Sequence, residues 1–133
     1  MPYRMLEHTA DLSFEVTAGS FEELMSEALR AMTEWTGPQW TDRAVERSFR
    51  IDAQDREMLL VDLLNESLTL SQIHHEAYER LVIRSIGESF VEGSFVGRAV
   101  TGALDEIKAV TYHGAQVEQL PDDSWRAILL MDI

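Results

Sequence analysis

The sequence contains no cysteine, and Lys108 is its only lysine among 133 residues. Without cysteine, disulfides, thiolate zinc sites and cysteine nucleophiles are all excluded. No apolar run approaches the roughly 18 residues of a membrane span, and the first residues carry no apolar stretch typical of a signal peptide. We therefore expect a soluble, cytoplasmic protein.

The length predicts one domain over residues 1–133. A chain of this size buries roughly two-thirds of the surface that it exposes when unfolded. This burial provides a hydrophobic core without covalent cross-links.

The charge is strongly acidic, with 24 acidic against 11 basic residues and a formal net charge of −13. Apart from Lys108, the basic residues are scattered arginines, which argues against independent binding to nucleic acid. An acidic surface attracts a basic partner, but it also simply keeps a small protein in solution. The charge alone does not decide between the two.

Two segments carry the patterns of helices. Ser20 and Glu23 form a capping box ahead of an apolar stripe that runs to Trp35, and Gly37-Pro38 ends this helix. A second helix is predicted from about Asp55 to His74, with apolar residues over a wide arc that indicates burial on more than one side.

Alternating apolar residues predict strands along the rest of the chain. Gly87-Glu88 and Pro121-Asp122-Asp123 are typical of hairpin turns. The fold class is therefore α+β, with two helices packed on a largely antiparallel mixed β-sheet. The predicted strands are Tyr3–Leu6, Leu12–Ala18, Val45–Ile51, Tyr78–Ile86, Phe90–Val100, Lys108–Leu120 and Trp125–Asp132.

Acidic oxygens occur at both ends of the sequence. Asp11 follows His8 in a polar break between two predicted strands, where an aspartate alone is most often a turn former. The last predicted strand delivers Asp132 and the terminal carboxylate of Ile133 without a solvating tail. If Asp11 lies near that strand, these three groups repel one another unless a hard cation such as Ca²⁺, Mg²⁺ or Mn²⁺ joins them. The alternative is a free, solvated terminus.

Other polar residues allow a functional and a structural reading. Lys108 and His113 lie on one predicted strand, where the lysine either pairs with nearby acids or simply faces solvent. Asp62 and Glu66 lie one helical turn apart and indicate a solvated helix edge. His74-His75 are expected to interact with the dipole of the second helix. The sequence contains no phosphate-binding glycine loop and no motif of a catalytic triad.

Four short segments, in order and at matching spacing, resemble the archease family. They are Leu6–Asp11 (LEHTAD), Leu59–Glu66 (LLVDLLNE), Lys108–His113 (KAVTYH) and the terminal Met131–Ile133. The resemblance covers essentially the whole chain. Mild departures, which affect local packing rather than the polar motifs, are Ser13, Ser67 and Thr69.

The resemblance implies a function that spacing alone does not give. Archeases are small metal-binding proteins that assist RtcB-type RNA ligases in tRNA splicing and RNA repair. They promote the ligase's guanylylation and repeated turnover without being the ligase, and they reach RNA only through it. The family's metal ligands map to Asp11, Asp132 and Ile133, and its functional lysine maps to Lys108. We expect Ca²⁺ in this site, with Mg²⁺ or Mn²⁺ as alternatives, and His8 and His113 as candidate neighbours of the ligands.

Two rival functions stay open at this point. The first is a metal-dependent phosphohydrolase that uses the same carboxylates, although no general base beyond His8 or His113 is evident. The second is a chaperone-like modulator of another tRNA-modifying enzyme, such as a methyltransferase.

Overall fold

The computed structural model of the chain describes residues 2–6 and 11–133. Both predicted helices are confirmed. The first, α1, spans Phe21–Trp35, and the second, α2, spans Arg56–His74. The Ser20 hydroxyl oxygen accepts a hydrogen bond from the Glu23 N–H at 3.1 Å. The Asp55 carboxylate caps α2 in the same way through Met58, because the first N–H groups of a helix have no partner within it.

All strand pairings among the described residues are antiparallel, which confirms the predicted α+β class. The strands divide between two sheets. The first has the order β1-β2-β7-β6 and the second has the order β3-β5-β4. The strands are β1 (Tyr3–Leu6), β2 (Asp11–Ala18), β3 (Gln39–Asp52), β4 (Glu76–Ile86), β5 (Phe90–Thr101), β6 (Ala109–Gln119) and β7 (Trp125–Asp132).

Both helices contact strands of both sheets. Helix α1 packs against β2 and β4, while α2 packs against β6 on one side and β3, β4 and β5 on the other. This position explains why the apolar residues of α2 cover a wide arc rather than a narrow stripe. Four leucines of α2 are completely buried: Leu59, Leu60, Leu63 and Leu64. Neither helix is long and apolar enough to span a membrane.

The first sheet determines where the polar motifs lie. Strand β7 is central and pairs with β2 on one side and with β6 on the other, whereas β6 is an edge strand. The pairing between β6 and β7 is interrupted after Thr111 and resumes at Gln116, and Gly114 within this gap has a φ of 75°. As a result, only a short segment at the start of β6 pairs with the end of β7.

Candidate functional site

Asp11 lies directly opposite Asp132, on the paired strands β2 and β7. Cβ atoms of directly opposed residues in an antiparallel pair are roughly 5 Å apart. Like charges in this position repel, which destabilises the pair unless a cation or a basic group lies nearby. Asp11 is half-buried and Asp132 is exposed. The sheet thus brings together two carboxylate residues from opposite ends of the sequence.

The register of these strands is fixed by the row of residues next to Asp11 and Asp132 along the strands. Leu12 lies opposite Met131, which in turn lies opposite Val110, and all three side chains are buried. Because side chains alternate between the faces of a sheet, this buried row turns the preceding row outward. The outward row consists of Asp11, Asp132 and Ala109 on three adjacent strands.

Lys108 lies beside this outward row. Its backbone N–H donates a hydrogen bond to the carbonyl oxygen of Asp132 at 2.7 Å, and its side chain is exposed. Although it was predicted as the first residue of a strand, it immediately precedes β6, which begins at Ala109. The structure thus brings the backbone of the chain's single lysine next to the backbone of Asp132.

The other candidate residues lie at the end of β7, in β6, on α2 or outside the described residues. Ile133 directly follows Asp132 and is 44% exposed. His113 is exposed and lies in the interrupted part of β6, where the Thr111 hydroxyl donates to its backbone carbonyl at 3.1 Å. His8 lies outside the described residues. Asp62 and Glu66 are half-buried on α2.

The donor set fits a hard cation. Within residues 2–6 and 11–133, no three His, Asp or Glu side chains converge into a metal cluster. Asp11 and Asp132, which face each other on paired strands, are the two side chains here that could hold an ion. Oxygen ligands of this kind suit Ca²⁺, Mg²⁺ or Mn²⁺ rather than structural zinc.

Comparison with known proteins identifies the family to which the chain belongs. The sequence model described as the Archease protein family matches residues 3–133. The chain belongs to the archease family. Protein archease of Methanosarcina acetivorans is 31% identical to it, in an alignment that covers 98% of this chain and 95% of that protein.

Two solved structures of similar proteins support the same fold. An archease from Thermotoga maritima, described as a possible chaperone, has a TM-score of 0.69 and 29% identity over 96% of this chain and 94% of its own. Protein 1598 of Methanobacterium thermoautotrophicum has a TM-score of 0.75 over 99% of both chains, and at 24% identity this likeness concerns the fold alone.

Asn65 and Asp62, both in the archease-like segment of α2, form hydrogen bonds with β6 that the sequence pattern did not predict. The side-chain amide of Asn65 bonds to the backbone of Val110, and the Tyr112 hydroxyl donates to the carboxylate of Asp62. This hydrogen bond, with further contributions from burial and from the negative charge of Asp62, raises the pKa of Tyr112 above its ordinary value. An asparagine inside an apolar helix, where its helix propensity is low, was the available signal.

Proposed function

We propose that this chain is a metal-binding accessory protein that activates an RtcB-type RNA ligase. In this role it promotes guanylylation of the ligase and repeated turnover, in tRNA splicing or RNA repair. Its membership of the archease family supports the proposal. The structural observation that carries it is the direct opposition of Asp11 and Asp132, with the backbone of Lys108 bonded to Asp132.

Asp11, Asp132 and the terminal carboxylate of Ile133 are the proposed ligands of a divalent ion, for which Ca²⁺ is our first candidate and Mg²⁺ or Mn²⁺ the alternatives. When bound, such an ion supplies positive charge that neutralises phosphate oxygens. Lys108 is exposed, with its backbone bonded to that of Asp132, and it offers a second positive charge to a nucleotide triphosphate. The net charge of −13 favours the approach of a basic partner.

The test is multiple-turnover ligation by a purified RtcB-type ligase in the presence of the wild-type chain or its variants. We expect Asp11→Ala and Lys108→Ala to lose the stimulation that the wild type gives. Arg43→Ala is a matched control for Lys108→Ala, because Arg43 is an exposed basic residue of the second sheet. Full stimulation by both site variants would contradict the proposal.

A second candidate function is a chaperone-like module for another RNA-modifying enzyme, such as a tRNA methyltransferase. The relative from Thermotoga maritima is described as a possible chaperone, which is the observation in its favour. Affinity capture from the source cell separates the two candidates, because the enzyme recovered with the chain is a ligase in one case and a methyltransferase in the other. Release of phosphate from nucleotides by the chain alone would instead support a phosphohydrolase.

A further inference from the structure

The outer edge of β6 is completed by a side chain rather than by another strand. Asn65 of α2 donates from Nδ2 to the Val110 carbonyl at 2.9 Å, and its Oδ1 accepts from the Val110 N–H at 2.8 Å. An edge strand presents backbone N–H and C=O groups that have no ladder partner. The amide of Asn65 therefore replaces a strand at one residue and holds β6 against α2.

This contact lies where β6 pairs with β7 over only a short segment, two residues before the hydrogen bond from Tyr112 to Asp62. At this end, β6 pairs with β7 only from Ala109 to Thr111, and the residues that precede it, 103–108, have no regular secondary structure. Val110 is the middle residue of the paired segment, with a buried side chain on the core side and Asn65 on its free edge. The start of β6 is therefore fixed between β7 and α2.

Lys108 lies two residues before Val110, and its own N–H is bonded to the Asp132 carbonyl. Displacement of Val110 from α2 would pull on this short segment and move the lysine relative to Asp11 and Asp132. A displacement of about 1 Å at a functional group is enough to reduce activity roughly a hundredfold in enzymes.

We propose that Asn65 is a positioning residue, which fixes the start of β6 so that the backbone of Lys108 stays bonded to that of Asp132 and its side chain keeps one position relative to the opposed carboxylates. This inference rests on the proposed function, since it takes Lys108 and the carboxylates as the working groups. Asparagine fits the position because its amide has one donor and one acceptor group for the two backbone groups of Val110. Aspartate has a similar shape but lacks the donor, and alanine lacks both groups.

The first test uses the isolated chain. Because Lys108 is the only lysine, reductive ¹³C-methylation labels one side chain besides the α-amine and keeps its positive charge. We expect paramagnetic Mn²⁺ to broaden the Lys108 methyl signal in the wild type. In Asn65→Asp and Asn65→Ala at saturating Mn²⁺, verified from the thermal shift of each variant, we expect this broadening, measured as the Mn²⁺-induced transverse relaxation rate, to be smaller than in the wild type, because the rate falls steeply with distance from the ion.

Thr69→Ala is the matched control. The Thr69 hydroxyl donates to the backbone carbonyl of Asn65 at 3.1 Å, so this change removes a hydrogen bond from the same part of α2 without touching β6. It should keep the wild-type broadening. Undiminished broadening in a folded Asn65→Asp variant would overturn the inference. Absence of broadening in the wild type would overturn it as well, because Lys108 would then not lie beside the ion.

The second test is a double-mutant cycle in the ligase assay. Asn65→Asp should lower the stimulation on the order of tenfold or more, and it should cause no further loss in a Lys108→Ala background. Independent, multiplying losses would show that Asn65 does not act through Lys108. If the wild type fails to stimulate any RtcB-type ligase, the proposed function is wrong, while the Asn65-dependent broadening of Lys108 is measured separately.

Discussion

The carboxylate of Glu76 is completely buried and accepts two hydrogen bonds from Arg47, at 3.0 Å from Nε and at 2.5 Å from Nη2. The Tyr78 hydroxyl donates a third at 2.8 Å. Burial alone would raise the pKa of Glu76, but the hydrogen bonds from Arg47 and Tyr78 and the charge of Arg47 outweigh it and hold this pKa below its ordinary value. An ionised glutamate at the start of β4 thereby ties β4 to β3 of the second sheet.

This pair predicts how stability depends on pH. The pKa of Glu76 is lower in the folded state than in the unfolded state, so its ionised carboxylate stabilises the fold fully at a pH above the unfolded-state pKa. This stabilisation is lost as the pH falls through the folded-state pKa. We expect Glu76→Gln to lower the free energy of unfolding at pH 7 by about 3 kcal/mol. Below about pH 5 the difference from the wild type should shrink.

Urea unfolding between pH 3 and pH 8 measures this dependence. Glu79→Gln is the control, because Glu79 is exposed and lies 3.6 Å from Arg98 in a surface ion pair. Such a pair contributes about 0–1 kcal/mol, so the control should follow the wild type at every pH. A difference between Glu76→Gln and the wild type that stays constant down to pH 3 would contradict the assignment.

The backbones of β4 and β5 pack closely at Gly97 of the central strand β5, which predicts that a larger residue there destabilises the fold. A Cβ atom built there would lie 1.9 Å from the Ala77 carbonyl oxygen and 2.7 Å from the Tyr78 Cα, so β4 would have to move. We expect Gly97→Ala to destabilise the fold by at least about 1–3 kcal/mol, the usual cost of overpacking a core.

Gly19→Ala is the matched control for this substitution. The nearest atom to its added Cβ is a carboxylate oxygen of Glu23 at 3.4 Å, at the end of a flexible side chain. Denaturant unfolding of both variants measures the difference in their free energies of unfolding. Equal losses at the two positions would mean that β4 and β5 approach each other less closely than the structure indicates.

Local sequence patterns predicted both helices and all seven strands of the part of the chain that the structure describes, although β3 (Gln39–Asp52) is twice as long as the predicted Val45–Ile51. Helix α1 begins after its predicted cap, Ser20, and α2 begins one residue after its predicted start at Asp55, because a cap and an apolar pattern are read from neighbouring positions. The division of the strands into two sheets was not predicted. Alternation identifies a strand and its buried face, but it does not name the partner strand. The buried Glu76 was missed for the same reason, since its partner Arg47 is 29 positions away.

The family resemblance singled out Asp11, Asp132 and Lys108, and the structure brings their backbones together where β2 begins and β7 ends. That they bind a metal stays a prediction. The role of Asn65 was not predicted, because its contact with Val110 depends on how α2 packs against β6, a tertiary relationship that the spacing of residues along α2 does not reveal.

Asp11 and Asp132 face each other on paired strands. The effect of Asp132→Asn on thermal stability should therefore depend on whether a divalent metal ion is present. Without divalent ions, Asp132→Asn should unfold at the same or a higher temperature than the wild type, because it removes a repulsion between facing carboxylates. With Ca²⁺ or Mn²⁺ at about a hundred times its dissociation constant, the wild type should gain about 2.7 kcal/mol, and the variant should gain much less.

Thermal melts with and without EDTA measure both effects. Asp42→Asn is the control, because it makes the same change of charge at an exposed position of the second sheet. Its response to metal should equal that of the wild type. An undiminished response in Asp132→Asn would remove Asp132 from the proposed ligands.

The third proposed ligand, the terminal carboxylate of Ile133, is tested by extending the chain. A short Gly-Ser extension after Ile133 converts this carboxylate into a neutral peptide group and moves the negative charge away from Asp132. We expect weaker binding of Ca²⁺ or Mn²⁺ by calorimetry and a smaller thermal shift, because hard cations prefer charged oxygen ligands. The same extension placed before Met1 leaves that carboxylate intact and should bind as the wild type does. Equal affinities of the two extended chains would leave Asp11 and Asp132 as the only protein carboxylates proposed for the site.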